Sequence, residues 1–196
     1  IFVVISLKTI HMISRDSYIE QIEPFINKPF VKVMTGIRRS GKSVILRLLK
    51  DELLRRGVLE DHIIYMNFES FEWIDIQDSK ILYSYIRSRI EDKDTYYILL
   101  DEIQVVAEWE KAVNSFLVDF NSDVYVTGSN SNMLSSELAT YLTGRYVSFH
   151  IMTLSFKEYL RFHDIVLGGH DVNMKEEFIK YLRSGGFPAI HTADYT

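Results

Sequence analysis

Apolar positions along this chain follow two rhythms that alternate. From Arg15 onward, Tyr18, Ile22, Phe25 and Ile26 fall on one helical face, and Pro24 and Pro29 break the run. Phe30 to Thr35 is a short apolar stretch of strand length. Ser43 to Arg56 returns to helical spacing and is ended by Gly57. His62 to Glu69 reads as a second strand, Ser79 to Ile90 as a helix, and Tyr96 to Glu102 as a third strand, apolar enough to be buried on both faces. Trp109, Ala112, Val113, Phe116, Leu117 and Phe120 recur at helical spacing and read as core. Asp123 to Ser129 is a fourth strand, Met133 to Leu142 a helix, and Arg145 to Ile151 an alternating fifth strand. After Ser155 the pattern is helical through "FKEYLRFH" and "MKEEFIKYLRS" as far as "GGFP", with Gly168-Gly169 as a loop. Strands that alternate with helices predict an α/β fold, a parallel sheet covered on both faces.

Composition changes this picture little. At 196 residues and 47% hydrophobic, the chain can bury a sizeable core. It has no cysteine, which excludes disulfides, thiolate metal sites and thiol nucleophiles and fits a reducing compartment. Its six histidines form no pair at metal-ligand spacing. Lys plus Arg is 22 against 27 for Asp plus Glu, a net charge of −5, so nucleic acid is a poor default partner. The opening "IFVVISLKTIHM" is too short to span a bilayer and lacks the leader and cleavage site of a secretory signal. The expectation is a soluble cytoplasmic protein with no membrane contact, Met12 being a candidate start.

Candidate chemistry changes it more. Gly36, Gly41, Lys42 and Ser43 satisfy G-x-x-x-x-G-K-[ST], with a strand before and a helix after. Such a loop turns backbone N–H groups inward around phosphate oxygens and adds the positive end of a helix dipole. The whole stretch Gly36, Ile37, Arg38, Arg39, Ser40, Gly41, Lys42, Ser43 and Val44 is therefore the expected nucleotide-binding segment. Within it Lys42 would neutralise the β- and γ-phosphates and Ser43 would ligate Mg²⁺, while the Arg38 and Arg39 side chains are expected to point outward. "YYILLDE" supplies the second acidic anchor. Asp101 would hold the Mg²⁺ shell, and Glu102 at the strand tip would activate water against the γ-phosphate. Small-molecule P-loop kinases have no need of that base, so Asp-Glu favours hydrolysis. Thr127, Ser129 or Asn130 could touch the γ-phosphate or the attacking water, against an ordinary strand-to-turn reading. Arg145 could stabilise transition-state charge, against a plain surface arginine at the start of a strand. For Asn67 and Glu69 the bland reading as strand-end polars leads.

Taken together, "TGIRRSGKS", "ILLDEIQ" followed by Trp109, "VTGSNS", "LTGRYVSFHIMTLSFKEYL" and "SGGFP" resemble a family of prokaryotic AAA+-type ATPases related to archaeal ATPases and STAND NTPases. The resemblance runs from about Arg15 to Pro188. It implies a P-loop NTPase three-layer sandwich with a five-stranded parallel sheet in the order 5-1-4-3-2 and a C-terminal helical lid. The division it implies is an N-terminal extension over 1–14, an ATPase core over 15–153 and a lid over 154–196. It further implies ATP and Mg²⁺ as cofactors, Walker roles for Lys42, Ser43, Asp101 and Glu102, a sensor position at Ser129, and an arginine at Arg145 acting in cis or from a neighbour. Gly186 and Pro188 resemble an element that approaches the nucleotide base, with Arg15, Tyr18 and Ile19 on its other side. Family members usually continue into a winged-helix-like part and a nuclease-like domain, so the chain looks like an ATPase module without its output half.

The leading function is Mg²⁺-dependent ATP hydrolysis that drives or switches a protein partner, a second copy, or a further domain. The alternative is a tight nucleotide switch, occupied by ATP or ADP, with negligible basal turnover. A P-loop kinase is disfavoured by Glu102. DNA contact through Arg55-Arg56 or Arg87 and Arg89 is disfavoured because short basic pairs on helices are usually solvated faces.

Overall fold

The computed structural model describes residues 15–129, 141–163, 165 and 172–192. The N-terminal extension, Asn130, the expected helix from Met133 apart from its last two residues, and Gly168-Gly169 lie outside the described residues.

Five strands, β1 (Val31–Gly36), β2 (Ile63–Asn67), β3 (Tyr96–Asp101), β4 (Ser122–Ser129) and β5 (Tyr146–His150), form one sheet in the order β2-β3-β4-β1-β5. Every pairing is parallel. Read from the other edge, this is the expected order 5-1-4-3-2. Every residue of β1 and β3 is buried, the pattern of strands covered on both faces.

Alternate residues of these strands feed two cores. Val33, Ile98 and Val126 face Leu82 and Ile86 of α3 (Ser79–Arg89) and Val113 and Phe116 of α4 (Trp109–Asp119). Met34, Leu99 and Tyr125 face Ile22 of α1 (Asp16–Ile22) and Ile45, Leu46 and Leu49 of α2 (Lys42–Arg55). The result is helix, sheet and helix in three layers, with Trp109, Ala112, Val113 and Phe116 in the core as expected and Leu117 and Phe120 half-buried against it.

Beyond β5 the chain turns helical. α5 (Phe156–Phe162) starts on a reciprocal cap between Ser155 and Glu158. α6 (Met174–Ser184) is capped by the Asn173 side chain. The sequence pattern ended in "GGFP", but Pro188 opens a further short helix, α7 (Pro188–Thr192). Its fixed φ and missing N–H suit the first helical position, so proline here starts structure instead of ending it.

The end of the sheet where strands begin is held by a buried charge cluster. Lys32 is fully buried and paired with Asp123, and it donates to the Lys28 carbonyl at 2.9 Å. Asp123 Oδ2 also accepts from the Asn27 backbone N–H and the Tyr125 hydroxyl, both at 2.8 Å. Burial, reinforced by the charge on Asp123, pushes the Tyr125 pKa far up, so that hydroxyl stays a donor.

Candidate active site

The phosphate loop connects the last residue of β1 to the first turn of α2. Gly41 caps α2 at φ 100°, a left-handed conformation that glycine adopts without strain. A Cβ on Gly36 would lie 2.3 Å from the Ile151 carbonyl oxygen, so only glycine fits where β1 gives way to the loop. Lys42 is buried, and its Nζ lies 3.3 Å from the carbonyl oxygens of both Gly36 and Ile37. Ser43 and Val44 follow in the first turn of α2, half-buried. Ile37, Arg38 and Arg39 are exposed, and Arg38 pairs with Glu69, also exposed, at 3.4 Å. The two arginine side chains thus point outward. Ser40 is fully buried, and its Oγ has no hydrogen-bond partner among the described residues.

Facing this loop are the ends of β3 and β4. Asp101 is fully buried; its Oδ1 accepts from Thr127 Oγ1 at 2.5 Å and its Oδ2 from the Tyr65 hydroxyl at 3.2 Å. Thr127 in turn accepts from the Glu102 backbone N–H at 2.9 Å. One hydroxyl on the neighbouring strand therefore fixes both acidic residues. Burial, then the charge on Asp101, pushes the Tyr65 pKa up, which keeps its hydroxyl protonated as the second donor. Sequence placed Thr127 among candidates for the phosphate, whereas here it is turned into the protein as a brace for Asp101.

Glu102, expected as the last strand residue, instead leaves β3 at φ 56°. That turn presents its carboxylate to the loop. Oε1 lies 3.4 Å from Lys42 Nζ, and Oε2 accepts from Gln104 Nε2 at 2.6 Å. Ser129 ends β4 in register with Gly36, beside the loop. Asn67 is engaged locally, accepting from the Glu69 N–H at 3.0 Å.

Two elements distant in sequence close on Gly41. A Cβ there would lie 3.3 Å from an Arg15 guanidinium nitrogen and 4.0 Å from Pro188 Cγ. Arg15 is 3% exposed and donates to the Ser40 carbonyl at 2.8 Å, the Met152 carbonyl at 2.9 Å and Glu158 Oε1 at 2.8 Å. It also lies over the Tyr18 ring at 4.6 Å, and the Tyr18 hydroxyl accepts from the Met152 N–H at 3.0 Å. Gly186 packs against Leu154, whose N–H it accepts at 2.7 Å. Pro188 is thus brought to the loop, while Tyr18 reaches it only through Arg15. Arg15 was read only as part of a base-covering segment; no local motif announces its grip on the loop.

Arg145 goes elsewhere. Its carbonyl accepts from the N–H of Val31, the first residue of β1, while the loop begins at Gly36, the last. At about 3.3 Å per residue the two lie roughly 17 Å apart along the strand. The guanidinium is exposed and bonds Asn114 at 3.1 Å. An action of Arg145 on this chain's own loop is not what the fold provides. Arg55 and Arg56 pair with Glu52, and Arg56 also with Glu23, so that basic pair is neutralised.

A model of the AAA domain family matches residues 28–160. An uncharacterized protein of Haemophilus influenzae is 43% identical over 185 residues, which is 93% of this chain and 46% of that protein. An uncharacterized protein of Methanocaldococcus jannaschii is 35% identical over 192 residues, 95% of this chain and 41% of that protein. The chain thus spans less than half the length of these curated relatives. Among solved structures it is similar in fold to AMPPCP-bound DnaA from Aquifex aeolicus, with a TM-score of 0.55 at 14% identity over 90% of this chain and 58% of that one.

Proposed function

The chain belongs to the AAA domain family, and from that premise we propose that it binds ATP with Mg²⁺ and hydrolyses it, passing the change to a partner, a second copy or a further domain. The observation that carries this reading is the meeting of Lys42 with Glu102 at 3.4 Å across the loop, beside a fully buried Asp101.

Each group has a task. The loop N–H groups and the start of α2 hold the triphosphate. Lys42 moves its charge from Glu102 to the β- and γ-phosphates. Glu102, freed of that cation, takes a proton from water as its oxygen attacks the γ-phosphorus in line, and the bond to the bridging oxygen breaks to leave ADP. The donor set suits Mg²⁺: a Ser43 hydroxyl and an Asp101 carboxylate whose oxygens each accept one bond and retain lone pairs. When bound, the ion would neutralise phosphate charge. Pro188 beside Gly41, and Tyr18 beneath the Arg15 guanidinium, would enclose the base. Arg145, exposed at the opposite end of the sheet, would serve a neighbouring copy's phosphates in an assembly.

The test is ATP turnover by the purified protein and its Glu102→Gln variant. Turnover that is abolished by Glu102→Gln while nucleotide still binds supports the reading. A wild type that binds ATP with Mg²⁺ and never turns over sinks it, and co-purified nucleotide would then favour the switch. The position of Pro188 and Arg15 beside Gly41 would serve that second reading too, since nucleotide occupancy could be felt by the lid through them.

No helix of the described residues is long and apolar enough to cross a membrane.

A further inference from the structure

Gln104 lies two residues beyond Glu102 on a 3₁₀ turn, Ile103–Val105. That turn is fixed on both sides. Ile103 and Val106 are buried, and the Ala107 N–H donates to the Gln77 carbonyl at 2.9 Å. The Gln104 amide hangs from this rigid base and donates to Glu102 Oε2 at 2.6 Å. Its own Oε1 is buried and meets no donor among the described residues.

A glutamine that braces a fold has both ends of its amide satisfied, because a buried acceptor without a donor costs about 1–3 kcal/mol. Here the hold on the amide is the Glu102 carboxylate. The contact at the other carboxylate oxygen, from Lys42, is of a different kind. It is longer, at 3.4 Å, and joins Glu102 to a flexible side chain that phosphate would draw away. The Gln104 contact is local to one turn, and nothing in ATP binding requires it to break.

We propose that Gln104 is the positioning residue for Glu102, keeping its carboxylate aimed at the attacking water after Lys42 has left for the phosphates. This rests on the reading of Glu102 as the group that activates water. A carboxylate on a free rotor loses much of its effect as a base, and a misplacement of about 1 Å can cost on the order of a hundredfold. An amide donor at fixed reach prevents that.

The experiment uses the purified full chain with Mg²⁺ and ATP, comparing wild type, Gln104→Leu, Gln104→Glu, Glu102→Gln and the Gln104→Leu/Glu102→Gln pair. Affinity is measured separately with a non-hydrolysable ATP analogue. Gln104→Leu is expected to lower kcat roughly ten- to a hundredfold with affinity unchanged. Gln104→Glu, which sets a second carboxylate against Glu102, is expected to lower it at least as far. The double variant is expected to be no slower than Glu102→Gln alone, since the two act as one unit. A Gln104→Leu protein as fast as wild type, or faster, overturns the proposal, the latter by showing a brake. Additive losses in the double variant also overturn it. If Gln104→Leu fails to fold, Gln104→Glu carries the same comparison. A wild type with no turnover overturns this proposal together with the reading beneath it, whereas an active wild type beside unaffected Gln104 variants overturns this proposal alone.

Discussion

The two ends of the sheet both carry buried charge, and they handle it in opposite ways. Where the strands begin, Lys32 and Asp123 are closed off by Tyr125, Asn27 and Lys28, and the members of that cluster satisfy each other. Where the strands end, Lys42 and Glu102 meet at longer range, and Ser40 Oγ and Gln104 Oε1 have no partner among the described residues. A closed network resists change, because removing either partner strands a charge in a low dielectric. A loosely paired one can exchange partners when a ligand brings its own charge. The contrast separates the part of the fold that holds from the part left free to exchange partners.

The sharpest way to break this contrast is at the loosely paired end. Lys42→Ala and Glu102→Gln should each reduce ATP turnover by about 10²–10⁴-fold, while unfolding in urea stays close to wild type. If either variant unfolds as readily as it loses activity, that end is structural after all. Next comes the opposite end. Asp123→Ala should cost about 3–5 kcal/mol in urea denaturation, because Lys32 is left buried without its counter-ion. A loss below about 1 kcal/mol would show that water reaches this cluster and that it is not closed.

A smaller effect should distinguish the clamp beside the loop. Burial opposes ionisation of Glu158, but the Arg15 hydrogen bond and charge together with the Ser155 N–H and hydroxyl outweigh it and hold the carboxyl below its ordinary value of 4.5. A depressed acid contributes stability above its unfolded value and loses it as pH falls through the folded one. The difference in Tm between wild type and Glu158→Gln should therefore be largest near neutral pH and close in acid below about 4.5. A difference that does not vary with pH would remove the ion pair from the account. Smallest of all, Arg38→Ala should shift stability by no more than about 0.5 kcal/mol, since its pairing with Glu69 is solvated on both sides.

Much of the framework was legible because it is periodic. Continuous apolar runs such as "YYILL" identify strands buried on both faces, and the glycines and Lys42 fall where a strand turns into a helix. Tertiary facts were not legible in the same way. Arg15 reads by resemblance as part of a segment over the base, but nothing local announces its bonds, whose acceptors lie 25 to 143 residues away. Glu102 reads as the tip of a strand, and only the left-handed turn at that residue brings Gln104 under its carboxylate. Arg145 reads as a candidate for the phosphates by its motif alone, although its place at the start of a strand, in a parallel sheet whose phosphate loop follows a strand end, already sets it at the opposite end. Pro188 reads as a stop because punctuation and helix start use the same residue.

One contact also bears on the order in which the molecule is made. Arg15 and Glu158 are separated by 143 residues, so the guanidinium that holds the Ser40 carbonyl cannot be neutralised until α5 has left the ribosome. At about 5–20 residues per second, the first helix and the phosphate loop would wait on the order of ten seconds or more for that partner. A nascent chain stalled before Glu158 would thus carry a complete phosphate-loop sequence beside an arginine still without its acidic partner. Synthesis itself then sets when the Arg15 guanidinium gains its counter-ion: late, and only once α5 has emerged.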